Sequence, residues 1–218
     1  MDRWFDGVYL VGRYNWLQTG VWLLAHNGEA AVLELPPTSL VGIDLGPDPA
    51  GDAASAAREL GVAVKFLLCT HAHHDHFSTR TFDAMRRQFP RAEPVLQSGF
   101  RQLAGGAPDI RYFDDGLTLF VGGELLHLVH APKHSYTDTM VIFRGAACTG
   151  DWELNTVRTV NERVPVDVRL GSCERMIEFV ARTGYHVHRV YSVHANDRRD
   201  AVDFPALMAD TRTDRRLW

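Results

Sequence analysis

The chain has 218 residues, 45% of them hydrophobic, and a formal net charge of -4 at pH 7. This length suffices for one large core, so we expect a single domain over residues 1–218, and the mildly acidic balance gives no electrostatic case for nucleic acid as a partner. The N-terminus carries no basic segment followed by an apolar one, and the longest apolar run near it, residues 21–25, is too short to span a membrane. These features predict a cytoplasmic protein without a membrane partner.

The three cysteines, Cys69, Cys148 and Cys173, are odd in number and have no paired spacing. A disulfide framework is therefore not expected. Cys69 and Cys148 each end an apolar run, and we expect both to be buried as small hydrophobic side chains.

The first third of the chain predicts a meander followed by a helix. From residue 5 to residue 35 short apolar runs alternate with turn residues, and Asn27-Gly28 lies between two such runs, which is a strong signal for an antiparallel hairpin. We assign this stretch to the first sheet. Residues 52–60 are Ala-rich and are followed by Gly61, which is typical of a helix with a glycine at its exit.

A cluster of histidines follows the apolar run 64–68, which is predicted to be a buried strand. The sequence of the cluster is Cys69-Thr70-His71-Ala72-His73-His74-Asp75-His76. Open α/β sheets place their sites at the carboxyl ends of strands, and imidazole and carboxylate are common ligands of zinc that also suit iron and manganese. A metal site is the favoured interpretation, with a solvated His-rich turn as the alternative.

In an extended segment, side chains two positions apart point the same way. His71 and His73 would then bind one ion, and Asp75 and His76 would turn towards a second. His74 faces the other way in this register, so we expect it to pack or to support a ligand rather than to bind metal. The remaining histidines are interpreted as structural residues: His26, His127, His130, His186 and His188.

The rest of the chain predicts a helix, a loop and then the second sheet. Ser78 or Thr79 can cap a helix that ends before Pro90. Residues 97–115 are predicted to be a loop that carries a short helix at 100–103. Strands are predicted at 117–121, 125–129, 139–143, 146–149 and 190–194, and helices at 173–182 and 204–209.

The pattern His-x-His-x-Asp-His resembles the signature of the metallo-β-lactamase fold superfamily. That family completes a two-metal site with a later His, an Asp and a final His, each after its own strand. His134, Asp151 and His194 are candidates in that order, and the match extends over essentially the whole chain. The resemblance implies an α/β (α+β) fold, a four-layer αβ/βα sandwich in which two mixed β-sheets are flanked by helices.

The resemblance also implies how the ligands are divided between two divalent metal ions, with zinc as the first choice and iron or manganese as alternatives. Two such ions about 3.5–4 Å apart lower the pKa of a shared water, so a metal-bridging hydroxide becomes available as the nucleophile. Asp75 has the implied catalytic role of orienting that nucleophile or giving a proton to the leaving group. The ligand sets are His71, His73 and His134 for one ion, Asp75, His76 and His194 for the other, and Asp151 as the bridge.

This chain departs from the family pattern around the site. An Asp-Thr-Gly-like turn is usual where this chain has Glu34-Leu35-Pro36-Pro37, so we expect an unusual loop there. Phe77 stands where small glycines often follow the first motif, and we expect it to narrow the site. Lys133 replaces the usual Gly before His134. Lys133 and Tyr136 either meet a carboxylate or carbonyl of the substrate or are a solvated lysine and a half-buried tyrosine. Positions in loops just after ligands make four more residues candidates for pocket lining: Trp152, Asn155, Asn196 and Asp197.

Asp151 separates functions within the superfamily. The lactam-hydrolysing members lack a bridging Asp at this position, one group having Cys and another Ser, whereas glyoxalase-II-like thioesterases and lactonases keep it. The sequence therefore favours a hydrolase of a small ester-like substrate, a thioester or lactone first and a phosphodiester second. The alternatives are a non-haem iron oxidoreductase resembling the persulfide dioxygenases and a non-catalytic binding protein that keeps the fold. A small molecule is the expected partner, and a homodimer stays open.

Overall fold

The computed structural model of the chain describes residues 1–38, 48–160 and 163–213. Two mixed β-sheets face each other, and helices cover the outer face of each sheet. This arrangement confirms the predicted four-layer αβ/βα sandwich.

Within the described ranges, the first sheet contains seven strands that follow one another in chain order. Its first four strands pair antiparallel, which confirms the predicted meander, and the later strands pair parallel. Asn27 and Gly28 form the tight turn with φ values of 42° and 79°, the positive values that such a hairpin requires. The strands are β1 (Asp2–Phe5), β2 (Val8–Tyr14), β3 (Thr19–His26), β4 (Glu29–Leu33), β5 (Ala63–Leu68), β6 (Glu93–Gln97) and β7 (Arg111–Phe113).

The second sheet is built from the part of the chain that follows, and six strands of it lie in the described ranges. They are β8 (Gly116–Val121), β9 (Glu124–His130), β10 (Thr139–Phe143), β11 (Ala146–Cys148), β12 (Arg189–Tyr191) and β13 (Arg198–Asp200), in the order β13-β12-β11-β10-β9-β8. The pair β11 and β12 is parallel and its neighbours are antiparallel.

The helices begin and end at residues suited to those positions. The helices are α1 (Pro49–Leu60), α2 (Thr79–Gln88), α3 (Val166–Thr183) and α4 (Phe204–Thr213). Asp48 caps α1 by accepting a hydrogen bond from the backbone of Ala50, and Gly61 ends α1 in the left-handed conformation at φ 65°. Ser78 caps α2, as predicted. Among the described helices, none combines the length and the apolar character needed to cross a bilayer.

In the described part of the chain, three apolar clusters lie between the four layers. Strand β3 belongs to two of these clusters, because it is buried on both of its faces. Trp22 and Leu24 on this strand face the second sheet, whereas Val21 and Leu23 face the layer of α1 and α2. Because alternate side chains of a strand point to opposite faces, an unbroken apolar run is buried on both sides. The third cluster joins the outer face of the second sheet to α3 and α4, for example through Met140, Met176 and Phe204.

Several element predictions were wrong in detail. The strands that were not predicted are β1, β6, β7 and β13. They are short and carry charged or proline residues, and their pairing partners rather than their own propensity make them strands. The strand before His194 ends at Tyr191. The short helix predicted at 100–103 is a single 3₁₀ turn at Ser98–Phe100. All three cysteines are buried and free, as expected.

Candidate metal centre

The predicted ligands meet at the end of β5, where the chain leaves the first sheet. The segment after β5 is a turn rather than the extended segment expected, because the backbone N–H groups of His76 and Phe77 both donate to the carbonyl of His73 at 3.0 Å. The rings of His71 and His73 nevertheless lie on the same side, with centroids 4.7 Å apart. His74 lies outside both groups, as its predicted orientation requires, but it is exposed rather than packed as expected.

The first group consists of His71, His73 and His134, whose ligand atoms all lie within 4.8 Å of one another. The Nε2 atom of His134 lies 3.1 Å from the Nδ1 atom of His73. Burial lowers the pKa of all three imidazoles, in the case of His73 to about 4. They are therefore neutral at pH 7, which is the form that binds a metal.

The second group consists of Asp75, His76, Asp151 and His194, and its ligand atoms also lie within 4.8 Å of one another. The Nε2 atom of His76 lies 3.1 Å from Asp75 and 3.3 Å from Asp151. Burial opposes charge on His76 and His194, but the carboxylate of Asp151 outweighs it and raises the pKa of both imidazoles. The membership of both groups is the division that the resemblance implied.

Asp151 lies between the two groups. Its Oδ2 atom is 3.8 Å from Nε2 of His71 and 3.7 Å from Nε2 of His134, and its Oδ1 atom is 3.3 Å from Nε2 of His194. Burial works against ionisation of this carboxyl, but the charge of the neighbouring His76 holds its pKa well below the ordinary value. A single carboxylate is therefore in reach of both sets of imidazoles.

The donor atoms at this place suit a pair of divalent cations. Within the described part of the chain, His71 Nε2, His76 Nε2 and Asp151 Oδ1 are buried polar atoms without a hydrogen-bond partner. Leaving such atoms unpaired costs free energy that a bound cation would remove. Imidazole nitrogen and carboxylate oxygen are also the ligand types that zinc, iron and manganese share.

Glu34 supports the candidate ligands, although the sequence marked it only as part of an unusual turn. Its buried carboxylate accepts the backbone N–H of Thr70 at 2.8 Å and lies 3.2 Å from Nδ1 of His76. Glu34 has a φ of 82°, a strained value for a residue other than glycine, which is tolerated where the surroundings fix the backbone. The unusual loop therefore holds the turn that carries the candidate ligands.

Asp138 holds the backbone of the segment that carries His134, as Glu34 holds the turn after β5. Its Oδ2 atom accepts the backbone N–H groups of Lys133, His134 and Ser135 at 2.9, 2.6 and 2.9 Å. Burial raises the pKa of this carboxyl to about 7 against the effect of those hydrogen bonds. Asn15, at the tip between β2 and β3, also supports the site by donating to the carbonyl of Asp75 at 3.1 Å.

The first sheet fixes the loop that carries His194. The carbonyl of Val193 accepts the indole N–H of Trp22 at 3.0 Å and the backbone N–H of Gly20 at 3.2 Å. A Cβ atom on Gly20 would lie 2.5 Å from that carbonyl oxygen, so this close approach requires glycine. The first sheet thus holds the loop of His194, although this loop connects β12 and β13 of the second sheet.

Phe77 and Lys133 do not have the predicted positions. Phe77 packs against Phe82 and Phe100 in the layer between the first sheet and its helices, so the expectation that it narrows the site was wrong. Lys133 is fully buried and pairs with Glu153 at 3.1 Å, so it is neither a solvated lysine nor a substrate contact.

The other candidates for substrate contact have structural partners. Tyr136 is 58% exposed, more than the half-buried residue expected, and its hydroxyl donates to the carbonyl of Arg163. Trp152 is buried, and its indole N–H donates to the carbonyl of Ala131. The amide or carboxylate oxygens of the remaining three are engaged by neighbouring side chains: Asn155 and Asp197 by Arg199, and Asn196 by Ser192.

The fold is similar to solved structures over most of its length. A metallo-β-lactamase family protein from Thermus thermophilus matches with a TM-score of 0.61 at 18% identity over 96% of this chain and 79% of that one. The DIM-1 metallo-β-lactamase matches with a TM-score of 0.67 at 14% identity over 97% and 94%. The BLEG-1 B3 metallo-β-lactamase matches with a TM-score of 0.59 at 19% identity over 85% and 90%.

No family model and no curated protein matches the chain. Because the identities are below a fifth, the similarity to these solved structures shows the fold alone. The chain has the metallo-β-lactamase fold, which confirms the resemblance found in the sequence at that level.

Proposed function

We propose that this chain is a binuclear metal-dependent hydrolase. The observation that carries the proposal is the position of Asp151, whose two oxygens approach imidazoles of both groups. His71, His73 and His134 would hold one divalent ion, Asp75, His76 and His194 the other, and Asp151 would contact both.

Two divalent ions bound here would supply Lewis acidity and would make water acidic enough to ionise near neutral pH. The protein supplies the position and the proton transfer. Asp75 is nearly buried, and although burial opposes its ionisation, the neighbouring His76 outweighs this and keeps its pKa below the ordinary value. Its carboxylate is therefore ionised at pH 7 and can accept a hydrogen bond from an attacking water and pass the proton to the leaving group.

We propose a small ester-like substrate, a thioester or lactone first and a phosphodiester second. Asp151 supports this choice, because lactam-hydrolysing members of the family have Cys or Ser where this chain has Asp. DIM-1 and BLEG-1 are named as lactamases, but they are only 14% and 19% identical to this chain. Similarity at this level does not indicate that the substrate is shared. Zinc is the proposed metal and the cytoplasm the proposed location, with no nucleic acid or membrane partner.

The first experiment is elemental mass spectrometry of the protein purified without added metal. The expected result is about two zinc ions per chain and hydrolysis of a thioester or lactone, in a panel that also contains a phosphodiester and a β-lactam. An Asp151→Asn variant should lose both metal and turnover. One iron per chain and little else would move the assignment to oxygen chemistry with persulfides as first substrates, and a chain that binds no divalent metal would overturn the proposal.

A further inference from the structure

A fully buried lysine lies directly before His134 in the chain. Lys133 has no exposed side-chain surface, and a lysine is almost never fully buried unless it is paired. Its Nζ atom donates to Oε2 of Glu153 at 3.1 Å and to the carbonyl of Arg158 at 3.0 Å. The nitrogen also lies 5.7 Å from the centre of the Trp152 ring. Glu153 is thus held by a cation inside the protein.

The other oxygen of Glu153 points to the candidate ligand. Oε1 accepts the hydroxyl of Thr159 at 3.1 Å and the backbone N–H of Val160 at 3.1 Å. The Thr159 side chain is buried, and its Oγ1 atom lies 3.4 Å from Nδ1 of His134. A continuous series of contacts therefore runs from Lys133 through Glu153 and Thr159 to His134.

The chemistry of these groups gives the series a direction. Both oxygens of Glu153 act as acceptors, Oε1 for the backbone N–H of Val160 and Oε2 for Nζ of Lys133, so the single hydroxyl hydrogen of Thr159 goes to Glu153. Towards His134, Thr159 then has only lone pairs to offer, so the hydrogen of the contact must come from Nδ1 of His134. A neutral imidazole protonated at Nδ1 leaves Nε2 with a free lone pair, and Nε2 is the atom 3.1 Å from His73 in the first group.

We propose that Thr159, Glu153 and Lys133 are positioning residues that fix the tautomer and the ring orientation of His134, and so set the affinity of the first group for a divalent ion. This inference rests on the proposed function of that group as a metal site. Lys133 holds Glu153 in place by donating to its Oε2 atom.

Two other imidazoles of the site also make contacts through their Nδ1 atoms, and the contact between His134 and Thr159 differs from both. His76 meets the carboxylate of Glu34 directly at 3.2 Å, and His71 meets the hydroxyl of Thr70 at 3.1 Å. At His134 the carboxylate acts through an intervening hydroxyl. Removing that hydroxyl therefore disconnects the carboxylate from the ring while the ion pair of Glu153 with Lys133 stays intact.

The test compares Thr159→Val with Thr159→Ser, which restores the hydroxyl. Thr118→Val is the matched control, because Thr118 makes the same kind of contact with Nδ1 of His127 on the second sheet, at 3.0 Å. Two readouts apply to each variant: two-bond ¹⁵N–¹H NMR correlations that report the His134 tautomer in the metal-free chain, and competition between the protein and a chromogenic chelator for Co²⁺ or Zn²⁺.

We expect His134 to be protonated at Nδ1 in the unmodified chain and to lose this preference in Thr159→Val. One of the two ions should bind roughly 10- to 100-fold more weakly in that variant, while the other keeps its affinity and Thr159→Ser stays close to the unmodified chain. Unchanged affinities, an equal loss at both ions, or a His134 protonated at Nε2 would overturn the inference and leave the proposed function standing. Failure of the unmodified chain to bind metal would overturn both.

Discussion

The carboxylate of Glu34 lies 3.2 Å from Nδ1 of His76 and, through its other oxygen, accepts the backbone N–H of Thr70 at 2.8 Å. Because a carboxylate accepts hydrogen bonds, Nδ1 of His76 donates to Glu34 and its Nε2 atom faces Asp75 and Asp151. One buried side chain thus fixes both the backbone and a ring of the candidate metal turn.

Glu34→Gln tests this contact, since the amide keeps the size of the side chain and loses its charge. We expect the ion of the second group to bind roughly 10- to 100-fold more weakly, because the ring of His76 loses its orienting partner. Chelator competition measures the change. Glu29→Gln, at the start of the strand that ends directly before Glu34, is partly exposed and paired with Lys65. It is the control and should bind metal as the unmodified chain does.

The contact of the buried Lys133 with the partly buried Glu153 should show coupling in stability. Lys133→Met leaves the carboxylate of Glu153 without its cation, and a loss of about 1–3 kcal/mol in the free energy of unfolding is expected. Adding Glu153→Gln removes the unpaired charge, so the double variant should be less destabilised than the two single changes predict together. Urea denaturation of the four proteins gives the cycle, and strictly additive effects would contradict a direct pair.

Trp22→Phe removes the indole N–H that holds the carbonyl of Val193 at 3.0 Å, and keeps an aromatic ring in the core. A loss of about 1–3 kcal/mol in unfolding free energy is expected, since a buried carbonyl loses a donor. The second ion should also bind more weakly, because the next residue is His194. Trp4→Phe is the control, because the ring centroids of Trp4 and Trp22 lie 4.9 Å apart. This variant should leave metal binding unchanged.

The stability of the chain should depend on the protonation of His127. Burial lowers the pKa of this imidazole below its ordinary value of 6.5. Above pH 6.5 both the folded and the unfolded chain hold His127 neutral, and its contribution to stability is complete. As the pH falls below 6.5, the unfolded chain takes up a proton that the folded chain refuses, so stability is lost down to the folded pKa.

His127→Gln should remove this part of the pH dependence, which amounts to at most about 1.4 kcal/mol per pH unit. Urea denaturation of both proteins from about pH 5 to 8 measures it, a range that covers the titration of histidine. Parallel curves for the two proteins would show that the buried ring does not titrate differently on unfolding.

The ligand set could be predicted from sequence because most of its signal is local. Four imidazoles and a carboxylate stand within residues 71–76, and the later His and Asp residues follow apolar runs in the family's order. The supporting residues could not be found in this way. Glu34 is 36 positions from Thr70, and Thr159 is 25 positions from His134, so only the folding of the sheets brings them together.

The error at Phe77 has a definite cause. Phe77 was expected to narrow the site because it stands where small glycines often follow the first motif, and this comparison does not say where the side chain points. The chain turns at His73, whose carbonyl accepts the N–H groups of both His76 and Phe77. That turn points Phe77 into the helix layer, where it contacts Phe82 and Phe100.

The two sheets are formed by consecutive stretches of chain, the first ending at β7 and the second beginning at β8. The first stretch contributes the turn 71–76 to the site, and the second contributes His134, Asp151 and His194. The candidate metal centre is therefore an interface between two halves of one molecule. Fragments separated between Asp114 and Asp115 would each carry an incomplete coordination shell, and reassembly of the halves could be followed by the recovery of metal binding.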